Sequence, residues 1–205
     1  MVPFFRIPRI VQWCFPRRTW RISGQSGSVY ITFDDGPHPE VTPWVLDLLK
    51  TNGLHATFFC VGENVKRHPE IYERILLEGH TVGNHTMRHE KGTLTDTQTY
   101  LKSIEEARNY ISGPLFRPPY GRVSQMQAFA LHKKFKLIMW NWLSYDFDSS
   151  VSVDRIIQNA QRNIRSGDIV VFHDNVKSFE RLQQILPQFL KILQAKELKS
   201  LPISM

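Results

Sequence analysis

Short apolar runs alternate with longer mixed stretches along most of this chain, and turn-forming residues separate them. Apolar runs bounded by turn residues are typical of strands buried in a sheet. The predicted strands are Val29–Phe33, Ala56–Cys60, His80–Val82, Leu115–Arg117, Lys136–Trp140 and Ile169–Phe172, with a short last one near Ser200–Ile203. The intervening predicted helices are Pro43–Thr51, Pro69–Glu78, Asp96–Ile111, Ser124–Lys134, Val153–Arg165 and Phe179–Lys196.

Local signals support several of these helix limits. Thr42-Pro43 and His68-Pro69 each place a proline where a first helical residue is expected, and Thr95 with Gln98 is spaced as a capping box. Repeated strand–helix units predict an α/β fold, a parallel sheet with right-handed crossovers. About seven such units are enough to close a distorted (β/α) barrel.

Two adjacent carboxylates, Asp34 and Asp35, follow the first predicted strand and precede Gly36-Pro37. The carboxyl ends of parallel strands are where α/β folds place their chemistry. Two acids at such a tip can divide the work, one binding a cation and the other taking a proton. An Asp-Asp-Gly turn is also common after a strand, so this motif alone does not decide the function.

His85 and His89 are spaced four residues apart, so both rings can reach one metal ion. Two surface histidines in a polar loop would give the same pattern. Adding Asp35 makes three ligands, and three protein ligands with an open fourth position are typical of a catalytic zinc site.

Three later strand ends also carry polar side chains capable of catalysis. Arg117 follows Leu115 and Phe116 and precedes two prolines, and an arginine there can hold a carboxylate through two hydrogen bonds. The stretch 137–148 is interpreted as a strand that ends in Asp146, Phe147 and Asp148, and His173 lies at the tip of a buried strand in 168–174.

In this order the motifs resemble those of the polysaccharide deacetylases of the NodB-homology type, carbohydrate esterase family 4. The matching segments are Thr32-Phe33-Asp34-Asp35-Gly36, His85-Thr86-Met87-Arg88-His89, Arg117-Pro118-Pro119-Tyr120, the residues around Asp146, and Val171-Phe172-His173. The resemblance runs from about Val29 to about His173. It implies a distorted (β/α)7 barrel and the removal of acetyl groups from N-acetylated or O-acetylated sugars, such as those of chitin oligomers or peptidoglycan.

The resemblance also implies a role for each residue. Asp35, His85 and His89 would hold a divalent metal, for which we expect zinc, with cobalt or nickel as alternatives. Asp34 would be the general base and His173 the general acid, oriented by Arg117 and Asp146 respectively. The backbone N–H of Tyr120 would stabilise the oxyanion. Trp142, Phe147 and Phe172 are candidates for the sugar and acetyl pocket, although each aromatic side chain could equally belong to the core.

The fourth motif departs from the family pattern Asp-x-x-Asp-Trp. Leu143 stands at the first acidic position and Phe147 replaces the tryptophan, so the aromatic wall is smaller and lacks an indole donor. In the fifth motif, Val171 replaces the usual leucine. These departures bear on substrate fit more than on the chemistry.

Composition limits the alternatives. The 205 residues are enough for one domain, and 41% hydrophobic and 22% charged content are ordinary for a globular protein. The net charge is +7, and five arginines without an acid in residues 1–21 supply +5 of it. Without a basic stripe elsewhere, we expect an acetylated glycan as the partner and no nucleic acid, and we expect a monomer. Cys14 and Cys60 give no disulfide framework.

The N-terminal stretch is the part of the sequence that is hardest to assign. We predict that residues 1–27 pack over core surface, and that residues 28–205 form the deacetylase domain. Arginines interleaved with aromatic residues could instead rest on an anionic membrane face. No continuous apolar run is long enough for a signal-peptide core or a membrane span, so we expect a cytoplasmic protein, with membrane association as the alternative.

Two other functions remain open from the sequence. One is a related metallo-amidohydrolase acting on a small amide that is not a sugar. The other is a non-catalytic carbohydrate-binding pseudoenzyme. The second would need a lost ligand or base, and none is lost in Asp34, Asp35, His85 or His89.

Overall fold

The structure, a computed structural model, describes residues 4–23 and 26–204. Parts of the predicted N-terminal segment, residues 1–3, 24 and 25, lie outside the described residues, as does Met205. The sheet contains the strands β1 Ser28–Asp34, β2 Thr57–Cys60, β3 Thr81–Asn84, β4 Leu115–Phe116, β5 Lys136–Leu137, β6 Trp142–Leu143, β7 Ile169–His173 and β8 Lys199–Ser200.

The helices are α1 Arg9–Cys14, α2 Val41–Thr51, α3 Gly62–Arg67, α4 Pro69–Leu77, α5 Thr97–Ala107, α6 Gln125–Leu131, α7 Val153–Asn163 and α8 Val176–Ala195. The six predicted helices are all present, whereas the short helices α1 and α3 were not predicted. Pro69 begins α4 as expected. Two other start signals were wrong. Helix α2 begins at Val41, two residues before Pro43, and Asp96 rather than Thr95 caps α5 by accepting a hydrogen bond from the Thr99 N–H.

All strand pairs of the sheet are parallel, and the order is β5-β4-β3-β2-β1-β7-β6, with β8 beside β1. One extended stretch, residues 136–143, contains both edge strands of the sheet, β5 and β6. Its first half pairs with β4 and its second half pairs with β7. The sheet therefore curls into a distorted barrel, which confirms the predicted fold class.

The central strand of the barrel explains the position of the site. All seven residues of β1 are buried, because β2 and β7 flank it and helices cover its outer face. Asp34 is the last residue of this strand, and in register it faces His173 of β7. Parallel strands end at the same edge of the sheet, so the polar residues that follow them meet at one mouth.

The described part of the N-terminal segment lies along the strand stretch that closes the barrel. Leu143 N–H donates to the Phe5 carbonyl oxygen, and Thr19 exchanges hydrogen bonds with the backbone of Leu137 and Met139. Phe5 and Trp20 are buried. The division at residue 27 stays a prediction. No helix in the described residues is both long enough and apolar enough to cross a membrane.

The buried carboxylate of Asp168, directly before the first residue of β7, anchors this segment. Asp168 is fully buried and accepts hydrogen bonds from Arg6, from Asn141 and from the Arg165 N–H, and Arg21 Nε lies 3.2 Å from its Oδ1. Both arginines are partly exposed, so solvent screens part of the attraction.

We expect Asp168→Asn to lower the free energy of unfolding by about 2 kcal/mol or more, because an amide leaves two arginines without their counter-charge. Denaturant unfolding would measure the change. The matched control is Asp154→Asn on the exposed side of α7, which should stay within about 0.5 kcal/mol of the parent protein. Equal stability of both variants would show that Asp168 does not anchor the segment.

Candidate active site and metal centre

A cavity of about 450 Å³ opens at the carboxyl ends of the strands. Seven of the residues predicted for the site contribute to its wall, namely Asp34, Asp35, His85, His89, Tyr120, Phe147 and His173. Trp140, Leu143, Val171, Asn175 and Lys177 complete the lining. The predicted strand-end residues therefore converge on one site.

Asp35, His85 and His89 form a cluster in which one ligand atom from each residue lies within 4.8 Å of the others. His89 Nε2 is 3.0 Å and His85 Nε2 is 3.6 Å from Asp35 Oδ1. Burial would raise the pKa of Asp35, but hydrogen bonding to His85 and His89 holds that pKa well below its ordinary value. The carboxylate is therefore ionised at neutral pH, as a metal ligand must be.

The tautomer of His85 also suits metal binding. Its Nδ1 lies 2.7 Å from the carbonyl oxygen of Arg117, an acceptor, so Nδ1 carries the hydrogen. Nε2, which lies 3.6 Å from Asp35 Oδ1, is then the nitrogen at which a metal ion would take the place of a proton. Two imidazole nitrogens and one carboxylate are the donor set of a catalytic zinc-type site, so the residues present fit a divalent metal.

Three of the candidate site residues have left-handed backbones although none is glycine. The φ angles are 85° at Asp35, 60° at His89 and 59° at Tyr120. Such conformations cost free energy and persist only when surrounding contacts fix them, and they cluster at functional sites. At Asp35 one such contact is from Asn64, whose side-chain amide donates to the Asp35 carbonyl oxygen at 2.8 Å.

Asp34 is held by a fully buried arginine. Arg117 Nη1 donates to Asp34 Oδ1 at 2.6 Å and to the Thr32 hydroxyl oxygen at 2.6 Å. Nε donates to the carbonyl oxygen of Ile138, and Nη2 donates to that of Met139. No hydrogen bond reaches Asp34 Oδ2 from the residues that the structure describes, so that oxygen is available in the cavity.

His173 and Asp146 form the second charged pair of the cavity. Asp146 is fully buried, and its Oδ1 lies 2.8 Å from His173 Nδ1 while its Oδ2 accepts the His173 backbone N–H at 2.7 Å. Burial alone would lower the pKa of His173, but the Asp146 carboxylate, with smaller contributions from Asp35 and Asp34, raises it to about 9. The imidazole is therefore protonated at neutral pH, with Nε2 turned away from Asp146.

A third buried acid fixes the loop that carries Asp35. Asp174 accepts hydrogen bonds from the Gly36 N–H at 3.0 Å and from the Thr42 hydroxyl at 2.6 Å. Burial, reinforced by the charge of Asp35, raises the pKa of Asp174 to about 8. A Cβ on Gly36 would lie 2.0 Å from Asp174 Oδ2, so this close approach requires glycine.

Two predicted pocket residues lie elsewhere. Trp142 and Phe172 are fully buried and pack with Phe5, Phe33 and Phe189 in the core, and the Trp142 indole donates to Asn159 on α7. Neither side chain reaches the cavity, because strand side chains alternate between faces and these two point outward to the helices. Trp140 occupies the wall in their place.

Asn175 is a functional candidate that the sequence motifs did not reveal. Its Nδ2 donates to Asp35 Oδ2 at 2.6 Å, while its Oδ1 accepts the Ser178 N–H and so caps α8. One side chain thus joins the start of a long helix to Asp35, a candidate metal ligand. The only sequence signal was its place two residues after His173, where a helix cap was not expected because we began the helix at Phe179.

Comparisons with known proteins agree with this site. A model of the polysaccharide deacetylase family matches residues 22–135, more than half of the chain. A peptidoglycan-N-acetylglucosamine deacetylase of Bacillus cereus is 34% identical over 185 residues, which cover 84% of this chain and 86% of that protein. A chitooligosaccharide deacetylase of Azorhizobium caulinodans is 33% identical over 162 residues, which cover 75% of this chain and 77% of the relative.

A crystal structure of a peptidoglycan N-acetylglucosamine deacetylase in complex with 4-naphthalen-1-yl-N-oxidanyl-benzamide has the same fold. Its TM-score is 0.77 at 28% identity, and the match covers 99% of this chain and 95% of that one. The similarity therefore extends over the N-terminal segment as well as the barrel.

We expect Asn175→Ser to weaken divalent metal binding about 10-fold or more, because partners that hold a metal ligand in place typically contribute this much to affinity. A serine hydroxyl can still cap α8, so thermal stability should change little. Asn175→Ala removes both contacts and should lower metal affinity and stability together. Titration calorimetry with Zn²⁺ would separate these effects, and a parent-like affinity in Asn175→Ser would show that Asn175 does not position Asp35.

Proposed function

The chain belongs to the polysaccharide deacetylase family, and from that premise we propose that Asp35, His85 and His89 hold a zinc ion at which sugar acetyl groups are hydrolysed. The observation that carries the proposal is the convergence of this cluster with the Arg117–Asp34 and Asp146–His173 pairs in one cavity. When bound, the metal would lower the pKa of a water molecule and polarise the acetyl carbonyl group.

Asp34 acts as the general base. Arg117 occupies one of its carboxylate oxygens, so the other oxygen, Oδ2, accepts a proton from the attacking water. The guanidinium fixes the direction of the carboxylate. Asp35 cannot share this role, because its two oxygens already face the imidazoles and Asn175.

Tyr120 acts on the carbonyl oxygen of the acetyl group, and His173 acts on the leaving atom of the sugar. The backbone N–H of Tyr120 has no hydrogen-bond partner among the described residues, and it donates to the carbonyl oxygen as negative charge develops there. His173 is protonated below about pH 9 and donates its Nε2 proton to the departing sugar nitrogen or oxygen. Asp146 orients the ring and supports its positive charge.

The preferred substrates are N-acetylglucosamine residues of peptidoglycan or chitin-like oligosaccharides. Relatives with these two activities in their names support this choice. The cavity wall adds an aromatic surface in Tyr120, Trp140 and Phe147, on which sugar rings can stack. Tyr120 is largely exposed, which places it at the rim where an extended glycan would pass.

The direct test is acetate release from chitin oligomers, peptidoglycan and acetylated xylan by protein loaded with zinc. We expect release from the first two, its loss on chelation, and loss of about one bound ion per chain in His85→Ala. His132→Ala at the exposed end of α6 is the control and should keep the ion. Release that persists without metal would overturn the proposed site. Hydrolysis of small amides alone would favour the amidohydrolase instead.

The Asp146–His173 pair predicts a bell-shaped dependence of rate on pH, because the base must be ionised while the acid is protonated. The pKa of His173 is raised in the folded protein, so the rate should fall as pH rises through that value. Asp146→Asn removes the charge that raises it and should move the falling limb to lower pH.

Asp148→Asn is the matched control for the pH profile. Asp148 lies two residues from Asp146, but it is only half-buried and accepts hydrogen bonds from Ser150 instead. Its substitution should leave the falling limb in place. If the limb is equally unmoved in Asp146→Asn while activity stays measurable, Asp146 is not the residue that sets the protonation of His173.

A further inference from the structure

Two stretches of the sequence contain no acidic residue at all, residues 1–33 and 107–145. The structure brings them together. Thr19 pairs with Ile138, and the Arg18 guanidinium lies over the Phe15 ring and donates to the Val123 carbonyl oxygen. Between residues 14–18 and helix α6 lies a groove of about 500 Å³, with Arg17 over the Phe129 ring at 5.6 Å.

Large apolar side chains stand exposed around this groove. Ile10 and Trp13 of α1 are 62% and 73% exposed, and Met126 and Phe129 of α6 are 70% and 59% exposed. These are four of the ten large hydrophobic side chains that are exposed in the described residues. The spacing of Ile10, Trp13 and Cys14 puts them on one side of α1, and Cys14 reaches the groove. The apolar surface therefore continues from α1 to α6.

The positive charge on this side is not neutralised. Arg6 and Arg21 are paired with Asp168, and Lys134 with Glu105. Six other cations of the two stretches have no ion pair within the described part of the chain, namely Arg9, Arg17, Arg18, Arg122, Lys133 and Lys136. We call the surface formed by Ile10, Trp13, Arg17, Arg18, Met126 and Phe129 the N-terminal face.

We propose that the N-terminal face binds the surface of an anionic lipid bilayer. Arginine interleaved with exposed Trp, Phe, Ile and Met matches both parts of such a surface, the charged headgroups and the apolar region beneath them. This reverses the sequence-based preference for simple packing. Phe5 and Trp20 do pack inward, but Ile10 and Trp13 of the same segment do not.

The chemistry of the face disfavours two other occupants. A soluble polyanion would pair with the cations but would leave the four exposed apolar side chains without a partner. A second copy of the chain in a symmetric dimer would place the same cationic surface on both sides of the contact, so like charges would repel. An anionic bilayer satisfies both the charge and the apolar area.

Sedimentation with vesicles tests this proposal. The full chain is mixed with vesicles of phosphatidylcholine alone, or of phosphatidylcholine with phosphatidylglycerol, at low and high salt. We expect binding only to the phosphatidylglycerol vesicles, weakened by salt. Arg17→Gln/Arg18→Gln should lose about fivefold in affinity for each charge removed, whereas Lys50→Gln/Lys66→Gln on other helices should not.

A second pair of variants tests the contribution of the apolar side chains of the N-terminal face. Ile10→Ser/Trp13→Ser should lose vesicle binding about 10-fold or more, because interfacial affinity scales with buried apolar area. Leu77→Ser/Leu94→Ser removes two side chains elsewhere that are more exposed than Ile10 and Trp13, and this variant should bind as the parent does. Zn²⁺ affinity should be unchanged in all four variants, which shows that each is folded.

Several results would overturn the proposal. These are no binding to phosphatidylglycerol vesicles at low salt, equal binding to neutral vesicles, or binding that survives Ile10→Ser/Trp13→Ser. Tight binding to polyphosphate that is unaffected by the apolar variants would assign the face to a soluble polyanion. A dimer in sedimentation equilibrium that is lost in those variants would assign it to a second copy.

Discussion

The fully buried guanidinium of Arg117 is the contact on which the barrel and its site both depend. It donates to Ile138 and Met139 where the extended stretch 136–143 leaves β4 and crosses to β7. It also lies over the Phe59 ring at 4.0 Å and reaches Thr32 and Asp34 on β1. A buried cation is stabilised by satisfied donors and by a nearby opposite charge, so Asp34 contributes to the stability of the fold as well as to the proposed chemistry.

The same arginine also reaches the metal cluster, through its backbone. Its carbonyl oxygen accepts the hydrogen of His85 Nδ1 and so directs Nε2 into the cavity. Asp34 and Asp35 are neighbours in sequence, yet their side chains contact different partners. Asp34 ends a regular strand and points to Arg117, whereas the left-handed backbone of Asp35 turns its carboxylate toward the two histidines and Asn175. The separate roles that we propose for the two adjacent acids follow from this single change of backbone direction.

The sequence was sufficient for the fold class and for the residues that end strands. Motif residues could be assigned because parallel strands deliver their carboxyl ends to one mouth, whatever the details of packing. The sequence was not sufficient to predict where the side chains of Trp142 and Phe172 lie. An aromatic residue inside a buried strand has core on either face, and the direction of its side chain depends on the strand register. The splitting of 136–143 between two neighbours, the start of α8 at Val176 and the contact from Asn175 all depend on tertiary pairing that local pattern does not contain. Which side chains of the N-terminal segment are exposed could not be predicted either, because buried and exposed residues alternate within it.

Paired measurements on Asp34→Asn and Asp35→Asn test most directly whether the general base and the metal ligand are separate residues. Zinc affinity would be measured for both variants, and kcat would be measured at saturating metal. Asp34→Asn should bind zinc as the parent does while kcat falls by about 10²–10⁴-fold, since an amide cannot take the proton of the water. Asp35→Asn should lose zinc affinity itself. Near-normal kcat in Asp34→Asn would contradict the account and place the base elsewhere.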